Sequence, residues 1–115
     1  MNAIRGAITT ENTKEKIFSD TEELIKKIIE ENNLKIDDII SIIFSATKDL
    51  DAAYPAEAVR NIGITTIPLM CFQEMNVIGS LKKCIRVIIY VNCNNNRKIT
   101  HVYLKGAKVL RPDII

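Results

Sequence analysis

Apolar and polar positions alternate with two different periods along this chain. Residues 3–10 (Ala-Ile-Arg-Gly-Ala-Ile-Thr-Thr) are short, apolar and β-leaning, which predicts a first strand with Arg5 as its one charge. From about residue 13 to 32, Ile17, Leu24, Ile25, Ile28 and Ile29 lay a single stripe along a helix. Glu22 with Lys26 and Glu23 with Lys27 mark its opposite face as wet. Asn32-Asn33 ends the helix, and residues 39–47 form an almost unbroken apolar run, the pattern of a central strand covered on both faces. Tyr54-Pro55 opens a second, short helix and Gly63 is placed to stop it. Residues 65–72 read as a third strand, which Pro68 assigns to an edge or a bulge. After Gly79-Ser80, residues 81–91 are the most strand-like of all. A polar turn at 92–96 and a last strand at 100–104 then predict a hairpin. The expected order is β-α-β-α-β-β-β: a single α+β domain over residues 1–115, with a mixed β-sheet, two main helices and a loosely held tail from Arg111 onward.

Composition narrows the function classes. At 115 residues the chain suits one domain that buries roughly two-thirds of its unfolded surface. Its hydrophobic content is 47% without a single Trp, so the core should be aliphatic. Sixteen Lys and Arg against fourteen Asp and Glu leave a net charge of +2, too small a surplus to make nucleic acid the expected partner. No apolar run approaches the ~20 residues of a membrane span, and the start carries no secretory pattern, so a cytoplasmic protein is expected. Cys71, Cys84 and Cys93 are odd in number and lack C-x-x-C spacing, which predicts free thiols.

The candidate chemistry is one of charges. Along residues 81–91, Ile85, Val87, Ile89 and Val91 share one face while Cys84, Arg86, Ile88 and Tyr90 share the other, and both faces look buried. A guanidinium there cannot be neutralised by losing its proton. Arg86 therefore either pairs with a carboxylate for structural reasons or awaits an anionic ligand. Glu74 is the nearest acid in sequence, just past the third strand. By parity Cys71 and Glu74 face opposite sides of a straight strand, so both can reach one site only if the chain bends near Gln73. Arg5, Arg60, Tyr103 and Arg111 lie on other segments, and together they supply the donor types that best match a carboxylate. His101, the one histidine, reads as structural. No Ser/His, Cys/His or paired-carboxylate arrangement and no phosphate-binding Gly-rich loop is evident.

Taken together, Arg5-Gly6-Ala7, Ser45-Ala46-Thr47-x-Asp49-Leu50, Tyr54-Pro55-Ala56-x-Ala58-Val59-Arg60, Cys71-x-Gln73-Glu74-Met75, residues 81–87 (Leu-Lys-Lys-Cys-Ile-Arg-Val), His101-Val102-Tyr103-Leu104 and Val109-Leu110-Arg111-Pro112-Asp113 resemble the small monofunctional chorismate mutases of the AroH class. The resemblance spans nearly the whole chain in family order. It implies a homotrimer with a barrel-like core and active sites at the subunit interfaces. It also implies the rearrangement of chorismate to prephenate, in the pathway to Phe and Tyr, with neither cofactor nor metal. Carried over by position, Arg86 should donate to the ether oxygen and Glu74 accept from the ring hydroxyl, with Cys71 beside it. Arg5 and Tyr103 should hold a carboxylate, Arg60 and Arg111 approach at the mouth, and Tyr54 and Leu110 pack on the substrate. The chain departs from the pattern at Glu57, Asn76 and Ser80, where Lys, Asp and Gly are common, and Glu57 should weaken steering of a dianion. Two other readings compete: a non-catalytic trimer that binds a small carboxylate, and a structural subunit whose arginines pair only with its own acids.

Overall fold

Thr13 starts the longest element. Its backbone is extended and its side chain accepts the N–H of Lys16 at 3.1 Å, so helix α1 spans Lys14–Glu31. Asn32 closes it and Asn33 follows at φ 50°. The computed structural model describes residues 1–93 and 98–111. Around α1 it places β1 (Asn2–Thr9), β2 (Ile39–Ala46), helix α2 (Pro55–Asn61), β3 (Leu69–Gln73), β4 (Cys84–Val91) and β5 (Val102–Leu104), with 3-10 turns at Ile36–Asp38 and Lys105–Leu110. Among the described residues, no helix is long and apolar enough to cross a membrane. The expected element order holds, and Gly63, at φ 95°, follows the end of α2. Most of the predicted turn at 92–96 and of the tail 111–115 lies outside the described residues.

One mixed sheet has the order β3-β2-β4-β1-β5, in which β4 pairs antiparallel with both β1 and β2 while β5 joins β1 and β3 joins β2 in parallel. Two crossovers between parallel strands, which by general rule are right-handed, account for this. The unit β1-α1-β2 and the unit β2-α2-β3 step across the sheet in the same direction, so both helices cover the same face. Strand β4 then inserts between the first pair. That insertion overturns the expected hairpin: both edges of β4 are already occupied, by β1 and β2, so the last strand docks on the outer edge of β1 instead. Pro68 immediately precedes the edge strand β3; its carbonyl accepts the N–H of Ile42 at 3.1 Å, which a residue without its own N–H can still do.

Beneath the helices lies an Ile-rich core. Ile4 and Ile8 of β1, Ile42 and Phe44 of β2, and Ile85 and Ile89 of β4 meet Leu24, Ile25 and Ile28 of α1, all fully buried. The opposite face is different. Burial of both faces was expected, but Arg86, Ile88 and Tyr90 of β4 are only partly covered, and Ile40 of β2 and Met70 and Phe72 of β3 are exposed. A second small cluster of Ala7, Cys84, Tyr103 and Ala107 forms there, with Leu81 and Leu110 packed against it. The helix surface also differs in detail. Lys26 pairs with Glu22 as expected at 2.7 Å, whereas Lys27 turns to Glu31 at 3.1 Å and Glu23 faces Lys105 at 3.8 Å.

Gly6 is where α1 comes closest to the sheet. A Cβ there would lie 2.8 Å from Cδ1 of Ile28 and 2.9 Å from the backbone oxygen of Val102. The second atom cannot yield without moving β5. Gly6→Ala should therefore cost about 2 kcal/mol of stability by overpacking, readable as a lower midpoint in urea denaturation; an unchanged midpoint would refute the close approach.

Candidate active site

The placement of Arg86 begins some forty residues earlier in sequence. Asp49 accepts the hydroxyl of Thr47 at 2.5 Å and the backbone N–H of Lys83 at 3.0 and 3.2 Å, and Thr47 in turn accepts the N–H of Cys84 at 3.0 Å. These bonds hold Lys83 at φ 51° and fix where β4 begins. In the resulting register Arg86 stands opposite Ser45 on one side and Ala7 on the other. The motif around Ser45, Thr47 and Asp49 thus acts as a register pin for the arginine.

Glu74 arrives on the same sheet face because β3 stays regular through Gln73 and the N–H of Glu74 continues the pattern, donating to the carbonyl of Ala46 at 2.9 Å. Its carboxylate is held at both oxygens: Ser45 donates to Oε2 at 2.8 Å and the N–H of Met75 to Oε1 at 3.1 Å. Arg86 Nε lies 3.2 Å from the same Oε2, a charge contact whose angle makes no hydrogen bond. The buried Nε–H consequently has no well-directed acceptor among the described residues, while the side chain as a whole is 43% exposed. Arg5 and Arg86 share the wall of a shallow depression of about 220 Å3 with Ser45, Phe72 and Ile88. Glu74 also borders a cavity of about 400 Å3 formed with residues 47–49 and 75–82.

Arg5, Tyr103, Leu110 and Arg111 extend this face toward β5. Arg5 is exposed and its backbone N–H donates to Nδ1 of His101 at 3.0 Å. Tyr103 pairs with Ala7 across β1 and β5 and is almost fully buried in the small cluster that Leu110 joins. Arg111 and Arg5 both act on His101, whose pKa is lowered first by burial and then by these two charges.

The remaining expected residues gather elsewhere. Cys71 points to the helical side of β3, where the backbone of Ala56 hydrogen-bonds it and Arg60 acts on its thiol. Burial raises its pKa despite both. With exposed Tyr54 and Glu57 it lines a cavity of about 490 Å3 below the N-terminus of α2. The bend near Gln73 that would bring Cys71 to Glu74 does not occur, so within one chain Cys71 is not beside Glu74. Two clusters result: Arg86, Glu74, Arg5, Tyr103, Leu110 and Arg111 toward the open face, and Tyr54, Cys71 and Arg60 toward α2. Sequence reasoning overlooked Ser45 as the anchor of Glu74 and His101 as an acceptor. The first needed the β2–β4 register, and the second needed the parallel docking of β5.

A mixed sheet that sets Arg5 and Arg86 in the wall of an open depression, with a clamped carboxylate beside Arg86, offers the kinds of donor and acceptor that suit a small, hydroxyl-bearing anion. Comparison with known proteins makes the class specific. The family model of chorismate mutase type I matches residues 1–114. The chain is similar to chorismate mutase AroH of Bacillus subtilis, 48% identical over 99% of this chain and 92% of that protein, and to chorismate mutase AroH of Thermus thermophilus, 42% identical over 99% and 96%. A solved chorismate mutase from Clostridium thermocellum superposes with a TM-score of 0.92 at 56% identity, covering 95% of this chain and 99% of that one. The chain belongs to the chorismate mutase type I family and is an isomerase.

All three cysteines are free thiols. Burial pushes the Cys84 thiol up to about 11, against the pull of the Arg86 charge. At pH 8 the thiolate that reacts with alkylating reagents is therefore scarce. Iodoacetamide at that pH should leave Cys84 unmodified in the folded protein and modify it in urea; peptide mapping that finds rapid native labelling would contradict the burial.

Proposed function

We propose that this chain rearranges chorismate to prephenate by holding the folded substrate conformer and stabilising the charge that develops as the ether C–O bond breaks. Arg86 donates to the ether oxygen. The observation that carries this reading is its Nε–H, buried beside a carboxylate that Ser45 and Met75 already satisfy, with no acceptor of its own among the described residues. A donor left over in a partly dry site interacts more strongly with an electron-rich transition state than with the neutral ether of the ground state. A millionfold acceleration takes about 8 kcal/mol, of which one aimed donor supplies roughly 3–4. Glu74, kept in place by its two partners, accepts from the ring hydroxyl. Arg5 and Tyr103 hold a substrate carboxylate, with Leu110 and Arg111 closing over it.

Tyr54, Arg60 and Cys71 come to the substrate from a neighbouring subunit. Their position on the far side of β3 from Arg86 supports this, since one chain does not bring the two clusters together. The exposed Ile40, Met70 and Phe72 on the sheet face, and Met75 and Ile78 in the loop after it, supply the apolar surface such a contact needs. A closed ring of three single-domain subunits satisfies both clusters of every chain at once, because a head-to-tail interface joins two different patches. The setting is cytoplasmic aromatic amino acid biosynthesis.

Arg86→Ala should lower kcat/KM by several orders of magnitude with the assembly intact, and Arg86→Lys should fail badly as well because an ammonium does not reproduce the planar donor. Near-normal loss of chorismate absorbance by a folded variant would reject the role. Subunit sharing has its own test. Mixing Arg86→Ala subunits with subunits carrying both Tyr54→Ala and Arg60→Ala should restore up to about a quarter of wild-type activity, the chance that a site draws both halves from intact surfaces. No gain over the parents after subunit exchange, shown by mass, would remove the shared site.

A further inference from the structure

The parallel pairing of β1 with β5 starts at Gly6 opposite Val102. Arg5 lies one residue outside it, so its N–H, which points toward β5, has no strand carbonyl to meet. His101 fills that gap: its Nδ1 accepts the Arg5 N–H at 3.0 Å. The histidine is itself held from behind. Asn32, only 2% exposed, donates to the carbonyl of Thr100 at 2.9 Å and accepts the N–H of Thr100 at 2.7 Å, a two-point clamp from the end of α1 onto the residue before the ring. The imidazole thus stands between a fixed backbone and the strand that carries Arg5, with Arg111 close enough to act on it.

We propose that His101 is a positioning residue for the reaction: its neutral imidazole, accepting the backbone N–H of Arg5, sets Arg5 and Arg111 at the spacing that grips the substrate's carboxylate. This rests on the chorismate reading above. A protonated ring could not serve, because Nδ1 would lose its lone pair and a third positive charge would stand beside two guanidiniums. Burial and the charges of Arg5 and Arg111 oppose that protonation and keep the ring neutral near pH 7. A carboxylate bound between the two arginines offsets their charge, so ring and ligand are coupled, and the coupling runs both ways.

The chain contains a single histidine, so its ring nitrogens give one unambiguous NMR signal pair. In wild-type protein at pH 7.5 the ring should be the Nε2–H tautomer, and adding prephenate, the product and a stable dianion at that pH, should shift its resonances. A different tautomer, or resonances indifferent to saturating prephenate, would overturn the proposal. In turnover of chorismate, His101→Phe keeps the bulk and removes the acceptor, and should raise KM about tenfold, the scale of one lost hydrogen bond, with a much smaller change in kcat. His101→Asn places an amide oxygen where Nδ1 was and should return KM most of the way, with both variants checked for wild-type melting and assembly. A folded His101→Phe with unchanged KM, or a His101→Asn as impaired as His101→Phe, refutes the role. If wild-type protein fails to turn over chorismate, the reaction assignment falls, and the response of the ring to prephenate still decides whether His101 reads out an anion at Arg5 and Arg111.

Discussion

The contact between Arg86 and Glu74 is an ion pair that stability does not explain. With side chains 43% and 26% exposed, such a pair contributes about 0–1 kcal/mol. The geometry points the same way. Glu74 takes its hydrogen bonds from Ser45 and the Met75 backbone, and Arg86 contributes charge at 3.2 Å without a directed bond. The carboxylate is thereby satisfied, whereas among the described residues the Nε–H of Arg86 is not. Charge neutrality holds the arginine in place while its donor capacity stays available for an oxygen that no side chain of this cluster supplies.

That outcome depends on register more than on any local preference. A slip of one residue in β4 would send Arg86 into the Ile-rich layer beneath the helices and lift Ile85 or Val87 to the open face. The bonds from Asp49 to Lys83 and from Thr47 to Cys84 prevent the slip at the strand's entrance, and burial of Ile85, Val87, Ile89 and Val91 prevents it along its length. Core and site are therefore selected by the same alternation. Arg5 and Gly6 repeat the logic on β1: one projects to the site, and the other admits α1 to within contact of the sheet.

What the sequence revealed follows from this division. Periodicity and punctuation located each strand and helix, because Thr13, Asn32, Pro55, Gly63 and Pro68 act locally, through their own backbones or on a residue one turn away. Pairing was less accessible. The turn between β4 and β5 looked like a hairpin because nothing in those residues shows that β1, eighty positions earlier, already holds the adjoining edge of β4. The same non-local fact hid the role of His101, which only a parallel β5 can bring to Arg5. The coverage of the second sheet face was misjudged for a related reason: apolar residues at Ile88, Ile40 and Phe72 declare that a surface prefers to be covered, but not whether the cover comes from the same chain.

The two-cluster arrangement gives that preference a direction. Strand β3 is straight through Gln73, so Cys71 and Glu74 are committed to opposite sides and no side-chain rotation reunites them. A bend would have merged the clusters in one chain, at the expense of the bond from Glu74 N–H to Ala46 and of the carboxylate's fixed position beside Arg86. Keeping β3 straight preserves the fixed acid beside Arg86, and on the proposed subunit-sharing reading it leaves completion of the site to a neighbour's surface. Under that proposal the exposed apolar residues on β2 and β3 and in the loop after β3 would serve two ends, since a contact that covered them would also bring Tyr54, Arg60 and Cys71 toward another chain's Arg86. In such a design the subunit contact would be part of the catalytic geometry, and its rigidity would limit how closely the donor at Arg86 could be aimed.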